Sequence, residues 1–412
     1  MKKRNITFVI NYFYPDLAST GQLMTDLCRN IQKDFNITVI AAQPNYAGES
    51  VDSSGKYEVS YLGEIKVIRI KLPKVNKLSK WSRIKYIISY FLLANIAVIR
   101  EKNIDLIFTI SQPPILGGLI GSLGKFFKKA KHVYNIQDFN PEQAAAINFT
   151  KKNFIYYFSL FLDKLNCKLA DHIVVVGNDM EETLKKRFEY SEVPPHSVIN
   201  NWASEDEIIP LNKMQTSVKE FLDTNGLQNK FVVMYSGNIG LFYDLENIIK
   251  ITKNFEQNSD IVFLFIGEGA IKGDLQNYIH QTGQKNVKFL PYQPKEFIKY
   301  SLNAADVHLV VNQKGIKGIS VPSKIYGVLA AGKPILGVLE KDSEAYNIIK
   351  KSKSGLLVEP NNYQGIIEAI NTLYALDKVQ LEELGLNGRR YLEGNFKRNI
   401  SIEKYKKLLY EV

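Results

Sequence analysis

Residues 316–337, IKGISVPSKIYGVLAAGKPILG, hold the side chains with the clearest chemical potential in this sequence. The hydroxyl of Ser323 predicts the N-cap of a short helix, and Gly332 predicts the end of that helix before a strand. Amides at a helix N-terminus attract anions, so Pro322, Ser323 and the amine of Lys324 form a candidate site for a diphosphate. Taken alone, the segment indicates only a loop, a helix, a strand and this anion site.

Length and composition limit the class of protein. A chain of 412 residues is too long for one ordinary core and predicts two domains. The hydrophobic share of 45% and the charged share of 23% are typical of a folded globular protein. Two distant cysteines, Cys28 and Cys167, form neither a disulfide framework nor a Cys-x-x-Cys metal site, which fits a reducing cytosol. The first apolar run, at 6–10, is too short for a signal peptide and predicts a strand.

Positive charge is concentrated in the first half of the chain. Residues 1–200 hold 27 Lys and Arg against 18 Asp and Glu, whereas residues 201–412 hold 26 against 24. Within 66–102 there are ten basic residues and one acid, Glu101. Such a concentration predicts an acidic partner, which leaves membrane lipid, a phosphorylated substrate or nucleic acid open at this point.

Strands and helices alternate along both halves. The predicted strands lie at 6–10, 36–42, 66–72, 105–110, 132–136 and 172–177, and then at 230–237, 260–267, 286–290, 306–311, 334–338 and 355–359. This alternation predicts parallel sheets with right-handed crossovers, hence an α/β fold with two doubly wound, Rossmann-like domains. The polar, turn-rich stretch 198–212 predicts a hinge between them. Ligands of such sheets bind beyond the carboxyl ends of the strands, so we expect the active site in the cleft between the domains.

Six motifs occur in an order that resembles the family 4 glycosyltransferases: YPDLASTGQ, QDFNPE, VINNWAS, YSGNIG, FIGEGA and VPSKIYGVLAAGKP. The resemblance spans nearly the whole chain and lies in the order and spacing of the motifs. More narrowly, the chain resembles the L-fucosamine transferases of bacterial O-antigen and capsule clusters. The resemblance implies a GT-B fold, in which two Rossmann-like domains face each other across a cleft. It also implies metal-independent transfer of a sugar from a nucleotide donor, with the anomeric configuration retained.

The resemblance also assigns roles to the parts of the chain. It implies an acceptor-binding, membrane-facing domain at 1–200, a nucleotide-sugar-binding domain at 201–390 and a final helix, 391–412, that crosses back to the first domain. In the first domain, the family's His-Asp pair corresponds to Gln137 and Asp138. A glutamine cannot act as a base, but it can bind the donor sugar, and Asp138 could orient a sugar hydroxyl or assist the acceptor. Gly21 would lie near the diphosphate and the acceptor.

Several positions of the second domain depart from the family pattern. Gly237 and Asn238 stand where many members have Gly-Arg, and Tyr243 replaces a phosphate-binding lysine, so Lys324 is the candidate for the missing charge. The family's two glutamates correspond to Ile319 and Gly327. Neither residue can bind a ribose hydroxyl. Ribose binding is therefore assigned, as a hypothesis, to Glu344.

The segment FIGEGAIKG follows a predicted strand and superficially resembles a dinucleotide fingerprint. Its spacing is Gly-x-Gly-x-x-x-Gly, and it lacks a suitably placed acid, so we exclude NAD. Gly267 and Gly269 are expected to line the nucleotide site, and Tyr292 to flank the base. The five histidines show no metal-ligand spacing. No cofactor or metal is expected, and the UDP-sugar would be a substrate.

Two aromatic, apolar stretches stand out at 77–102 and 153–162. The apolar run in the first, at 86–99, is shorter than the roughly 20 residues that span a bilayer. Basic flanks and aromatics such as Trp81 favour a segment that lies in the membrane interface, although buried helices remain an alternative. A basic, aromatic patch also suits nucleic acid, but no RNA-binding motif accompanies it, so no nucleic acid partner is expected.

These observations favour a cytosolic hexosyltransferase-type enzyme on the inner face of the plasma membrane. Its expected substrates are a UDP-sugar, such as an N-acetylated deoxyamino sugar, and a polyprenyl-diphosphate-linked oligosaccharide of O-antigen, capsule or exopolysaccharide synthesis. Two alternatives remain: a nucleotide-sugar 2-epimerase of the same architecture, and a non-catalytic, membrane-associated scaffold. The missing His and Glu positions favour the scaffold, whereas Asp138, Gly237 and Lys324 favour an enzyme.

Overall fold

The computed structural model describes residues 3–16, 18–44, 55–73, 80–146 and 154–412, and these form two compact units. Unit 1 comprises the described residues up to Asn200 together with Ile402–Val412, and unit 2 comprises Asn201–Ser401. The chain rejoins unit 1 at Ile402, later than the predicted position 391. The reason is that residues up to Asn395 continue a single helix of unit 2, which begins at Lys378.

Unit 1 is built around one eight-stranded sheet. Its elements are β1 (Asn5–Val9), α1 (Ser19–Ile31), β2 (Asn36–Ala42), β3 (Tyr57–Leu62), β4 (Ile65–Ile70), α2 (Lys80–Arg100), β5 (Leu106–Ile110), α3 (Leu116–Lys128), β6 (Lys131–Ile136), α4 (Asn140–Ala146), α5 (Phe154–Leu169), β7 (His172–Val175), α6 (Asn178–Arg187) and β8 (His196–Val198). The strand order is β3-β4-β2-β1-β5-β6-β7-β8, and only β3 is antiparallel to its neighbour.

Unit 2 contains a six-stranded parallel sheet in the order β11-β10-β9-β12-β13-β14. Its elements are α7 (Thr216–Thr224), β9 (Phe231–Ser236), α8 (Leu245–Ile251), β10 (Ile261–Ile266), α9 (Lys272–Thr282), β11 (Val287–Leu290), α10 (Ile298–Asn303), β12 (Val307–Val311), α11 (Lys324–Ala330), β13 (Ile335–Val338), α12 (Glu344–Ser352), β14 (Gly355–Val358), α13 (Tyr363–Ala375) and α14 (Lys378–Asn395). Short 3₁₀ turns lie at Leu241–Tyr243, Thr252–Phe255 and Lys295–Phe297. The last helix, α15, spans Arg398–Glu411.

The central strands of both sheets are apolar, as expected where helices cover both faces of a sheet. Every residue of β5 and of β10 is buried, as expected for central strands of parallel sheets. The strand order reverses between β1 and β5 in unit 1, and between β9 and β12 in unit 2. Ligands of doubly wound sheets bind where the order reverses. The predicted fold class, α/β with two doubly wound Rossmann-like domains, is confirmed.

Two fully buried histidines make unfolding sensitive to acid. Burial lowers the pKa of His132, on β6, to about 3, and that of His308, on β12, to about 4. The Nε2 of His308 lies 2.9 Å from the carbonyl oxygen of Leu302. Because each folded pKa lies below the unfolded value of about 6.5, the unfolded chain binds more protons below that pH. Stability from these neutral rings is therefore present above pH 6.5 and falls as the pH drops towards 4.

We expect the free energy of unfolding, measured by urea titration, to fall between pH 6.5 and pH 4, at up to about 1.4 kcal/mol per pH unit for each histidine. The variant His308→Gln keeps a side-chain amide that can reach Leu302 but cannot be protonated. Its stability should depend less steeply on pH than that of the wild type. An unchanged slope in urea titrations across this range would contradict the assignment.

Candidate active site

Two glycine-containing loops follow β9 and β10 at the carboxyl edge of the unit 2 sheet. Gly237 and Gly267 have φ angles of 145° and 147°. A Cβ on Gly267 would lie 1.9 Å from the Gly237 carbonyl oxygen, and one on Gly269 would lie 2.1 Å from the Ile239 carbonyl oxygen. The Ile239 amide donates to the Glu268 carbonyl at 2.9 Å. Gly267 and Gly269 are therefore required because the two loops pack backbone against backbone. The Ile239 amide is already bonded within these loops.

Lys324 begins α11, after β12, and extends its amine into this region. Its Nζ lies 3.6 Å from the centre of the Tyr235 ring and 4.2 Å from that of Tyr243. A Cβ on Gly237 would lie 3.6 Å from the same Nζ. The atom is buried and has no hydrogen-bond partner within the described part of the chain. Burial lowers the pKa of Lys324 well below its usual value.

The two tyrosine rings form a box that holds the amine only by their faces. The Tyr235 hydroxyl donates to the Asn238 carbonyl at 2.6 Å, while the rest of Asn238 is exposed. Burial raises the pKa of Tyr235 well above its usual value, so it stays a neutral phenol. Ring faces attract a cation but accept no ordinary hydrogen bond from it. The Lys324 amine is thus a buried donor group that an anion could satisfy.

Tyr292 lies at the edge of the same cluster. It is 40% exposed, and its Cε1 would lie 3.5 Å from a Cβ on Gly267. It is also one of the groups that raise the pKa of Tyr235, after burial and Tyr243. The structure therefore brings Gly237, Gly267, Tyr292 and Lys324 together around Tyr235, across the point where the order of β9 and β12 reverses.

The start of α11 differs from its sequence prediction. Ser323 occupies the N-cap position, but its φ and ψ of −56° and −21° are helical and its side chain makes no capping hydrogen bond. The helical turn begins earlier, since the Ile325 amide donates to the carbonyl of the buried Pro322 at 3.1 Å. At the other end, Gly332 has a φ of 61°, which confirms the predicted stop. With seven residues, α11 offers little by its N-terminus alone, so the chemistry rests on the amine of Lys324.

Glu344, the candidate ribose ligand, lies in the first turn of α12. It is only 5% exposed, and after burial it contributes to the raised pKa of Tyr391 on α14. The two positions that replace the family's glutamates are Ile319, which is buried, and Gly327, which lies within α11. The role of Glu344 at the ribose stays a prediction.

In unit 1, Gln137 and Asp138 follow β6 at the carboxyl edge of the sheet. Both backbone amides donate to the Ser111 hydroxyl, at 3.1 and 3.2 Å. The Gln137 side chain is 7% exposed and donates to the Asn135 Oδ1 at 2.7 Å. The Asp138 carboxylate accepts from the Gln143 side chain at 3.2 Å. Asp138 precedes the first residue of α4 by two positions, so it is held by this loop and does not occupy the N-cap.

Gly21 lies in α1, which follows β1. A Cβ there would lie 3.0 Å from the Tyr12 Cβ and 3.1 Å from the Tyr12 carbonyl oxygen. Close packing of α1 against the preceding loop therefore explains this glycine. Because β1, β5 and β6 are adjacent, Gly21, Ser111 and Gln137 all follow neighbouring strands at the same edge of the sheet.

Sequence reasoning missed Tyr235 and Ser111, which organise the two clusters. Tyr235 is part of a buried strand, where its type indicates only a core residue. Ser111 follows β5 without any motif around it. The signal for each is its position directly at or after the carboxyl end of a strand next to the reversal of strand order.

Comparison with known proteins finds a family match for the part of the chain that holds the Lys324 cluster. The family described as Glycosyl transferases group 1 matches residues 218–391, which include the whole Lys324 cluster. Over 408 residues the chain is 29% identical to the probable glycosyltransferase WbjE of Pseudomonas aeruginosa, covering 97% of this chain and 96% of that one. Residues 218–391 thus match the group 1 glycosyltransferases, and the whole chain is similar to a probable glycosyltransferase. The predicted enzyme class, a glycosyltransferase, is thereby confirmed.

Two further comparisons concern parts of the chain and its fold. This glycosyltransferase is 29% identical over 151 residues to the putative colanic acid biosynthesis glycosyl transferase WcaI of Escherichia coli K12, covering 36% of this chain and 37% of that one. The crystal structure of Anabaena Alr3699/HepE in complex with UDP and glucose superposes with a TM-score of 0.74 at 13% identity, covering 99% of each chain. This likeness confirms the GT-B fold. The L-fucosamine subgroup stays a prediction.

Proposed function

We propose that this glycosyltransferase moves a sugar from a UDP-sugar to a polyprenyl-diphosphate-linked oligosaccharide during the synthesis of a bacterial surface polysaccharide. The observation that carries the proposal is the buried Lys324 amine, which has no hydrogen-bond partner in the described residues and lies beside the loops of Gly237 and Gly267. The similarity to WcaI, named for colanic acid biosynthesis, supports the pathway class, and the UDP complex of HepE supports the donor class.

A diphosphate suits the Lys324 amine because it supplies what the tyrosine box lacks. The ammonium has three N–H donors, and the phosphate oxygens would accept from them while neutralising a charge that is costly to bury. Negative charge on the diphosphate increases as its bond to the sugar breaks. The amine would therefore bind the transition state more tightly than the ground state, which is electrostatic catalysis.

The transfer step itself is expected to occur on one face of the sugar. The bond between the anomeric carbon and the phosphate oxygen breaks, and the acceptor oxygen forms its bond to that carbon on the same face. The acceptor proton passes to the departing phosphate oxygen, so UDP is released and the anomeric configuration is retained. Asp138 would orient a hydroxyl group. Gln137, which cannot accept the proton as a base, would position the sugar.

The other predicted contacts belong to the same proposal. Tyr292 would flank the uracil base, and Glu344 would bind the ribose. The diphosphate would be bordered by Gly21, Gly237, Asn238, Gly267, Gly269, Pro322 and Ser323. The donor sugar is proposed to be an N-acetylated deoxyamino sugar such as L-FucNAc, and the enzyme would work at the cytoplasmic face of the plasma membrane.

Thermal shifts with UDP, GDP, ADP, CMP and NAD at equal concentration test the donor class. A ligand that binds only the folded state raises the melting temperature in a concentration-dependent way, and we expect that response with UDP alone. A response to GDP or ADP would overturn the UDP assignment.

A transfer assay tests the reaction. UDP-sugars and a polyprenyl-diphosphate-linked acceptor are supplied, and the anomeric configuration of the product linkage is determined by NMR. An inverted anomer would contradict retention, and a free epimerised nucleotide-sugar without acceptor would identify the epimerase instead.

A further inference from the structure

Three neighbouring helices of unit 1 expose a continuous set of large apolar side chains. The helices are α2, α3 and α5, and α3 contacts both of the others. We call their outer side the three-helix face. Its members that are at least half exposed include Trp81, Ile88 and Leu92 on α2, Phe126 on α3, and Phe154 and Phe158 on α5. Trp81 and Phe154 are each 80% exposed, which water-facing aromatic residues rarely are.

The opposite side of α2 is part of the core of unit 1. Tyr90, Ala94 and Val98 are fully buried against the sheet, whereas Ile88 and Leu92, four residues apart, point outwards. By length and composition alone, Trp81–Arg100 could cross a membrane, which the shorter apolar run at 86–99 did not predict. Crossing would require the core side of α2 to leave the sheet, so the geometry favours a helix that lies on a membrane. Residues 77–79 and 153 of the predicted segments lie outside the described residues.

The three helices carry mostly positive charge. The sequences of the three helices contain eight Lys and Arg, four on α2, two on α3 and two on α5, against a single acid, Asp163. Asp163 is buried in an ion pair with Arg187, 2.7 Å away, so it does not offset the outer charge. Lys125 on α3 is paired with Asp171, 2.8 Å away, and the uncompensated charge therefore rests on the other basic residues. A second copy of this face would be repelled by the same charge. An anionic lipid surface offers both the apolar layer and the opposite charge.

We propose that the three-helix face binds flat on an anionic phospholipid bilayer. Trp81, Phe126 and Phe154 enter the boundary between headgroups and acyl chains, and the lysines and arginines around them contact the lipid phosphates. The inference shares only the membrane location with the proposed function and does not depend on the identity of the sugar. It gives unit 1 a fixed orientation towards a lipid-linked acceptor.

Vesicle co-sedimentation of the full chain tests this surface. The vesicles are phosphatidylcholine with or without phosphatidylglycerol, each at low and high salt. The variant Trp81→Ser/Phe126→Ser/Phe154→Ser removes the three aromatic residues. The matched control, Tyr61→Ser/Tyr190→Ser/Val379→Ser, changes residues of 72%, 93% and 74% exposure that lie outside the face. We expect the wild type and the control to bind the anionic vesicles. The face variant should bind them with an affinity that is lower by about tenfold or more.

The outcomes test membrane binding by the three-helix face independently of the proposed sugar transfer. Undiminished binding of the face variant would overturn the proposal. Equal binding to neutral and anionic vesicles that does not depend on salt would also overturn it, because anionic lipid would then not be required. A lipid-free dimer that the face variant converts to a monomer would show that a second copy covers the face. The UDP thermal shift of the face variant should match the wild type. If UDP gave no response while vesicles still bound, the proposed reaction would fail and the lipid surface would stand.

Discussion

Replacement of Lys324 by methionine is expected to lower kcat/KM for sugar transfer by about 100-fold or more, because one preorganised charge at the leaving group is lost. Methionine keeps an apolar stem of similar length against Tyr235 and Tyr243 and removes only the amine. The loss should appear mainly in kcat, since the diphosphate gains charge as the bond breaks. Steady-state kinetics with UDP-sugar and lipid-linked acceptor measure it.

The same variant should be at least as stable as the wild type. Burial lowers the pKa of Lys324 in the folded state, so the unfolded chain binds more protons, and stability rises with pH up to the unfolded value of about 10.4. Lys324→Met removes this dependence. Lower activity with equal or higher stability at pH 7, measured by urea unfolding, would separate a functional amine from a structural one. A loss of stability would contradict that separation.

Lys333 provides the matched control. It is also mostly buried, and burial lowers its pKa to about 8, but it precedes β13 and therefore lies at the opposite edge of the sheet. Lys333→Met should leave kcat/KM unchanged. If Lys324→Met retained wild-type activity, Lys324 would have no part in the mechanism. If both variants lost activity equally, the effect would belong to buried lysines in general.

The strands were predictable because most are short apolar runs within a regular alternation. β2 occupies the predicted 36–42, and β10 lies within the predicted 260–267. β3 was missed because it is an edge strand whose residues are half-buried or exposed, so it lacks the apolar signal of a central strand. β8 has only three residues and ends within the stretch interpreted as a hinge.

The sequence predicted where the residues of the candidate site lie along the strands, but not which side chains contact each other. The carboxyl ends of the strands indicated where Gly237, Asp138 and Lys324 would lie. The contact of Lys324 with Tyr235 was not predictable, because it depends on β9 pairing with β12, three crossovers later in the chain. For Gly267 and Gly269, the sequence predicted a different cause from the one that the structure shows. Their sequence context suggested close approach to a ligand, and the structure gives a sufficient reason in the packing of the loops themselves.

Arg187, the last residue of α6, anchors the loop that carries Asp138. The sequence of α6 is mostly polar and is typical of a surface helix, so it does not predict this role. The Arg187 guanidinium donates two hydrogen bonds to Glu142, at 2.8 and 2.6 Å, and one to Asp163, at 2.7 Å. It also lies 4.2 Å from the centre of the Phe139 ring, next to Asp138. Burial acts to lower the pKa of Arg187, but the two carboxylates outweigh it and raise that pKa. The side chain is 5% exposed, so this is a buried ion network.

Arg187→Met should lower the free energy of unfolding by about 3–5 kcal/mol, because it leaves two carboxylates without their cation in a site poor in water. Urea denaturation measures the loss. The control is Arg390→Met, since Arg390 pairs with Glu383 at the surface with 60% and 56% of the side chains exposed. Its loss should stay below about 1 kcal/mol. Similar losses in both variants would contradict a special role for the buried network.

The added change Asp163→Asn identifies the cause of that loss. The Tyr134 hydroxyl donates to Asp163 at 2.9 Å, and an asparagine oxygen can still accept this bond. If the cost of Arg187→Met arises from a stranded carboxylate, the double variant should be more stable than Arg187→Met alone, which is a non-additive effect. Additive losses would instead assign the cost to lost packing on Phe139.

Because Phe139 and Glu142 flank the Asp138 loop, we also expect Arg187→Met to lower kcat while the UDP thermal shift of unit 2 is unchanged. That split would place Arg187 as a positioning residue for Asp138.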